Sequence, residues 1–218
     1  MGDELARLIA VMDRLRSPGG CPWDAEQTHE SLARHAIEEA YELAEAIEAG
    51  TREDLREELG DVLLQVVFHA RLAQEHPTEP FGIDDVAATL SDKLVARHPH
   101  VFADVSVSGA DEVHANWERI KGEAKNRESV LDGIPTALPA LQRAQKVLSR
   151  AGRAGIEYRA EAGVGVGAAL FAIVARAEAE GVDAEGALRG EVRSLERAVR
   201  EAEGSRRGAA AGPTAAAS

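Results

Sequence analysis

Four acidic side chains in this sequence are spaced for metal chemistry. They sit in two strings, Glu38-Glu39-x-x-Glu42 and Glu58-x-x-Asp61. On a helix, residues three apart share a face one turn along, so Glu39 pairs with Glu42 and Glu58 with Asp61. Between the pairs stands Gly50-Thr51, a helix stop followed at once by a helix start. Glu42 and Glu58 are each 8 residues from Gly50, and Glu39 and Asp61 are each 11 away. A chain that folds back at this turn brings the pairs together at matching heights, on axes ~8–10 Å apart. Asp61 also opens the run Val62-Leu63-Leu64-Gln65-Val66-Val67-Phe68, apolar almost all round as in a buried helix. Like charges packed at the edge of a core cannot all stay ionised unaided. Some are protonated, or a cation sits among them. Clustered carboxylate oxygens select hard cations, chiefly Mg²⁺ with Mn²⁺ as substitute. Mg²⁺ held by carboxylates with open water positions handles phosphate esters. In an acidic protein the same string also reads as a solvated face; the equal spacing and the apolar run favour a site.

A polyphosphate ligand needs cations too. Lys93 and Arg97 are four apart on one predicted helix, and Trp117 and Lys121 are four apart on the next, so each pair shares a face. The plain alternatives are a solvated helix end for Lys93 and Arg97 and a core position for Trp117. Trp23, in the loop Cys21-Pro22-Trp23-Asp24, either covers a base or plugs the helix layer. Cys21 reads as a packed thiol, since nothing marks a His partner for a nucleophile. His98 and His100 flank Pro99 and read as a helix-end cap rather than metal ligands.

The elements that must position these residues are helical. Leu5, Leu8, Ile9, Met12 and Leu15 mark a first amphipathic helix, stopped by Ser17-Pro18-Gly19-Gly20. A second runs from near Thr28 to Ala49 with Gly50 as its C-cap. Thr51-Arg52-Glu53-Asp54 has capping-box spacing and opens a third, which ends before Pro77. A fourth spans roughly Asp84 to Arg97. A loop from Ala103 to Gly109 precedes a fifth with Val113, Trp117 and Ile120 on one face. Leu138, Leu141, Ala144 and Leu148 mark a sixth. Glycines cluster from Gly152 to Gly167, and two more helices run to about Glu203. No stretch alternates with period two long enough for a strand, so the fold class is all-α, a helical bundle around an antiparallel carboxylate-bearing hairpin.

Composition narrows the function. The chain has 218 residues, 25 basic against 38 acidic, and a net charge of −13. At ~150 residues per domain that is one to two domains. The charge excludes broad phosphate-tracking contact with nucleic acid, and 8 aromatic residues make a poor stacking platform for single strands. A single cysteine suits a reducing compartment. The N-terminus lacks a basic start and apolar run. The longest uncharged apolar stretch, Val164 to Ala175, is shorter than the ~20 residues of a membrane span. The expectation is an acidic, soluble, cytoplasmic protein without nucleic-acid or membrane partners.

Several motifs in order carry a family resemblance. These are Cys21-Pro22-Trp23-Asp24 with Gln27-Thr28, Glu38-Glu39-x-x-Glu42, Glu58-x-x-Asp61, Arg97-His98-Pro99-His100-Val101-Phe102 and Trp117-Glu118-x-x-Lys121. Leu138 to Lys146 is the last strong piece. Over about Leu5 to Arg150 the chain resembles the MazG family of nucleoside triphosphate pyrophosphohydrolases, in the all-α NTP-pyrophosphatase superfamily. The resemblance implies Mg²⁺-dependent hydrolysis of (deoxy)nucleoside triphosphates to monophosphate and pyrophosphate, in nucleotide-pool house-cleaning or signalling, by a homodimer. It implies Glu39, Glu42, Glu58 and Asp61 as metal ligands and Glu38 as the residue that positions or deprotonates the attacking water. Lys93, Arg97 and Lys121 would face the phosphates, with Trp117 and Trp23 as further substrate contacts.

Relatives of this family typically carry two copies of the carboxylate domain, and a faint echo is visible here. Gly60 to Val67 aligns with Gly167 to Val174, with Gly165 in place of Glu58 and Ala168 in place of Asp61. The expected organisation is a pyrophosphohydrolase domain over 1–132, a degenerate and truncated second region over 133–204, and a disordered Ala-rich tail over 205–218. The competing function is a catalytically inactive helical dimer whose acidic face engages a basic partner. A di-iron bundle needs Glu-x-x-His on two helices, and only Glu26-Gln27-Thr28-His29 fits in this region, so that reading is set aside.

Overall fold

The computed structural model describes residues 3–103, 105–109, 112–113, 116–117, 120, 128–156 and 165–210. It is all-helical, with no strand among these residues. The chain divides into two compact units, 1–121 and 122–218.

The first unit begins with α1 (Asp3–Arg16). Its stop is steric as well as conformational. Gly19 sits at φ +76°, and a Cβ on Gly20 would lie 2.1 Å from the Leu15 carbonyl oxygen. That close approach lets Cys21 N–H donate to the same carbonyl at 2.7 Å. The Cys-Pro-Trp-Asp segment, expected as a loop, folds as a short helix, α2 (Pro22–Glu26). Pro22 supplies the pre-set φ of a first helical position, where a missing N–H costs nothing.

α3 (His29–Ala49) and α4 (Arg52–Ala73) are the long pair. Thr28 and Ser31 cap α3 reciprocally: Ser31 N–H donates to Thr28 Oγ1 at 3.2 Å and Thr28 N–H to Ser31 Oγ at 2.9 Å. Thr51 and Asp54 do the same for α4, at 3.2 and 2.7 Å. Gly50 closes α3 through a bond to the Ala46 carbonyl at 3.0 Å, and a Cβ there would meet Ala46 Cα at 2.8 Å. Two helices joined by two residues, with the most extensive contact of any helix pair described, must fold back on each other. α5 (Ile83–Arg97) and a one-turn α6 (Pro99–Phe102) follow. His98 caps the end of α5 as expected, its Nδ1 2.6 Å from the Leu94 carbonyl oxygen, and Pro99-His100 goes on into α6, again with proline in the first turn.

The core is one cluster of Met12, Leu32, Val67, Phe68 and Leu72, with Leu8, Ile9, Leu64 and Ile83 against it. Ion pairs fasten α1 to the end of α4. Arg16 holds Glu75 through Nε and Nη2, at 2.8 and 2.9 Å, and Arg71 donates to Asp13 at 2.8 Å. Arg16 also donates to the Asp24 carbonyl, which fixes α2.

The second unit holds α7 (Ala140–Arg153), α8 (Val166–Ala179) and α9 (Ala184–Ala210). Arg150 is buried and donates to the carbonyls of Val130 and Asp132 at 3.0 and 2.7 Å. Gln145 closes the link before α9, donating to Val182 O at 2.6 Å and accepting from Ala184 N–H at 3.0 Å. α9 passes Glu203, where the apolar periodicity stops, because Ala and Arg are strong helix formers and Glu203 pairs with Arg207 one turn on. Half of the glycine-rich segment, 157–164, and the end of the tail, 211–218, lie outside the described residues.

Candidate functional site

The long pair positions the acids. One carboxylate oxygen from each of Glu39, Glu58 and Asp61 lies within 4.8 Å of the others. Glu39 comes from α3 and the other two from α4, so the equal count outward from Gly50 translates into contact. All three are partly buried, and this is the one such acidic group among the described residues. Glu42 stands beside the three on the exposed surface of α3.

The electrostatics are those of crowded carboxylates. Burial pushes the Glu39 carboxyl up, and the charge of Asp61, the charge and hydrogen-bonding side chain of Glu42, and the charge of Glu58 push it further. Glu58 is raised by burial first, then by Glu42, Asp61, Glu57 and Asp54. Glu58 Oε2 is buried with no hydrogen-bond partner. A buried acceptor without a donor, inside a ring of like charge, is the arrangement a hard cation relieves. An open notch of ≈ 370 Å³ adjoins it, lined by Glu42, Glu45, Ala46, Ala49, Gly50, Asp54 and Glu58.

Other predicted residues fall around this cluster or away from it. Glu38 is exposed, and its Oε2 is 3.0 Å from His35 Nδ1. Trp23 is half-exposed with its ring edge-on to His35, centroids 6.4 Å apart. Arg97 and Trp117 come together, the guanidinium carbon 5.4 Å from the indole centroid, a cation–π geometry. Lys93 is exposed on α5, and no described contact ties it to the carboxylates. Lys121 lies outside the described residues.

Two neighbours escaped the sequence reading. His35 was signalled only by its three-residue spacing from Glu38. Gln65 sits one turn beyond Asp61, buried, with an Oε1 that no described group satisfies. Its setting within an apolar run hid it. The aligned positions in the second unit offer no ligand: Gly165 precedes α8 at φ +141°, and Ala168 lies in its first turn.

The chain also matches known proteins. Residues 27–102 match the MazG nucleotide pyrophosphohydrolase domain, a span that contains all four acids and the turn between them. The chain is 54% identical over 205 residues to the "Uncharacterized 26.1 kDa protein in blaB 3'region" of Streptomyces cacaoi, covering 93% of this chain and 84% of that one. It is 49% identical over 160 residues to the nucleoside triphosphate pyrophosphohydrolase of Escherichia coli, covering 72% of this chain and 60% of the relative. The namesake from Mycolicibacterium smegmatis is 51% identical over 158 residues, covering 71% of this chain and 48% of the relative. The chain thus spans about half to three-fifths of the relatives that carry the enzyme's name. On the carboxylate pair, the motifs around it and these matches, the chain belongs to the MazG nucleotide pyrophosphohydrolase family.

Proposed function

We propose that this protein hydrolyses nucleoside triphosphates at the α-phosphorus, releasing monophosphate and pyrophosphate, with a divalent cation held by the acids of α3 and α4. The observation that carries the reading is the convergence of Glu39, Glu58 and Asp61 within 4.8 Å across the two helices. The residues fit a hard cation, because the donors are all carboxylate oxygens and one of them is an unsatisfied buried acceptor. Mg²⁺ is the expected ion, with Mn²⁺ as substitute; it supplies charge neutralisation for the triphosphate.

The chain's own residues do the rest. Glu39, Glu58 and Asp61 hold the cation, with Glu42 completing the set. Glu38 orients the attacking water and takes its proton as the oxygen bonds to the α-phosphorus and the bond to the bridging oxygen breaks. Lys93, Arg97 and Lys121 balance the phosphate charge. Trp23, and Trp117 with Arg97 upon it, bound the nucleoside. The enzyme works as a homodimer in nucleotide-pool house-cleaning, in the cytoplasm. No helix among the described residues is long and apolar enough to cross a membrane.

A product assay tests this. Nucleoside triphosphates incubated with the protein should yield monophosphate and pyrophosphate, activity should vanish with EDTA, and Mg²⁺ or Mn²⁺ should restore it. Diphosphate and orthophosphate as products would place the attack elsewhere and sink the reading. A protein inert with every triphosphate under these conditions would favour the protein-binding alternative.

A further inference from the structure

His35 lies one turn before Glu38 on α3, and both of its ring nitrogens are engaged. Arg34 Nε–H donates to His35 Nε2 at 3.3 Å. A guanidinium donates and never accepts, so Nε2 carries no proton and the ring's hydrogen is on Nδ1. That Nδ1 is 3.0 Å from Glu38 Oε2 and donates to it. The indole of Trp23 meets the His35 ring edge-on at 67°, and the side chain is only 29% exposed. The imidazole is thereby fixed in place and in tautomer. One oxygen of Glu38, Oε2, accepts this bond.

We infer that His35 is a positioning residue: its Nδ1–H, set by Arg34, aims the Glu38 carboxylate at the attacking water. The inference rests on the reading of Glu38 as the group that takes the water's proton. The logic is that of an orienting partner on a general base, where a small misplacement of the reacting group is expensive in rate. The pair contributes little to folding, since Glu38 is 61% exposed and surface pairs of this kind are weak. A kinetic effect is therefore separable from a structural one.

Five variants and one spectrum test it in the full chain. His35→Ala should lower kcat about 10-fold or more with KM nearly unchanged. His35→Asn places an N–H where Nδ1 was and should recover much of the loss; His35→Gln, which mimics Nε2, should not. His35→Ala added to Glu38→Ala should lower the rate no further. Long-range ¹H–¹⁵N NMR of the metal-free protein should show His35 as the Nδ1–H tautomer. The inference is overturned by an Nε2–H tautomer, by equal rescue from Asn and Gln, or by wild-type kcat in His35→Ala while Glu38→Ala is inactive. Wild-type turnover in Glu38→Ala would instead remove the role of Glu38, and the positioning role with it.

Discussion

Glu39 and Glu58 carry a folding penalty that their proposed function explains. Both carboxyls are held above their ordinary values by burial and by their acidic neighbours. Between the ordinary value of 4.5 and the raised one, the folded state binds more protons than the unfolded chain. Stability of the metal-free protein therefore falls as pH rises through that window and stays lowered above it. Glu58→Gln removes one of the crowded charges. It should raise the thermal midpoint of the metal-free protein at neutral pH, with the gain shrinking as pH falls through that window and gone below 4.5. The same variant should lose hydrolysis and most of the thermal shift that Mg²⁺ gives the wild type. A midpoint lower than wild type at neutral pH would mean that Glu58 is structural. Asp61→Asn should likewise lose hydrolysis and most of the Mg²⁺-induced thermal shift, because it shares the three-residue group.

The helices were legible where local spacing decides them. Thr51 and Asp54 are three apart, and the capping box they announce is present in both directions. Thr51→Ala should cost about 1 kcal/mol in urea unfolding, and an unchanged midpoint would show that α4 begins elsewhere. The carboxylate group was legible for a related reason: Gly50 sets a short turn, and equal counts on two helices become equal heights. Short helices were not legible. α2 and α6 have five and four residues, too few for a period to show, and proline marked them only as interruptions. Contacts between distant residues were also hidden. His29 and His69, 40 residues apart, stack at 5.1 Å with their Nδ1 atoms 2.8 Å apart and tie the start of α3 to the end of α4. Burial, and then the charge of His29, hold His69 below its ordinary value of 6.5. A lowered histidine favours the fold while neutral, so this stability is lost as pH falls from 6.5 through the folded value. His69→Phe keeps a flat ring and should flatten that acid-side loss in a denaturation series. An unchanged slope would assign the loss to other groups.

At the scale of the molecule, the run after Asp61 is only half used by its own unit. Gln65, Val67 and Phe68 are buried, whereas Leu59, Leu63 and Val66 stay exposed, four and three residues apart on one stripe of α4. A continuous apolar stripe beside the acids calls for a partner surface, and the proposed homodimer supplies one. Leu59→Lys with Val66→Lys should give a 23.2 kDa species by light scattering, while wild type should scatter at twice that mass. A wild-type monomer at micromolar concentration would count against the dimer. The second unit makes a different contribution. Gly165 and Ala168 stand where Glu58 and Asp61 would be, and neither side chain binds a hard cation. Metal titration should therefore find one carboxylate site per chain. A chain ending at Asp132 retains α1 to α6 and every proposed site residue, Lys121 included. It loses the Arg150 guanidinium that holds the Val130 and Asp132 carbonyls. Such a fragment should keep hydrolysis and the metal response, with a lower thermal midpoint as its main loss. If it folds and dimerises yet hydrolyses no triphosphate that the full chain hydrolyses, the second unit supplies a catalytic group, and the single-site reading of α3 and α4 is incomplete.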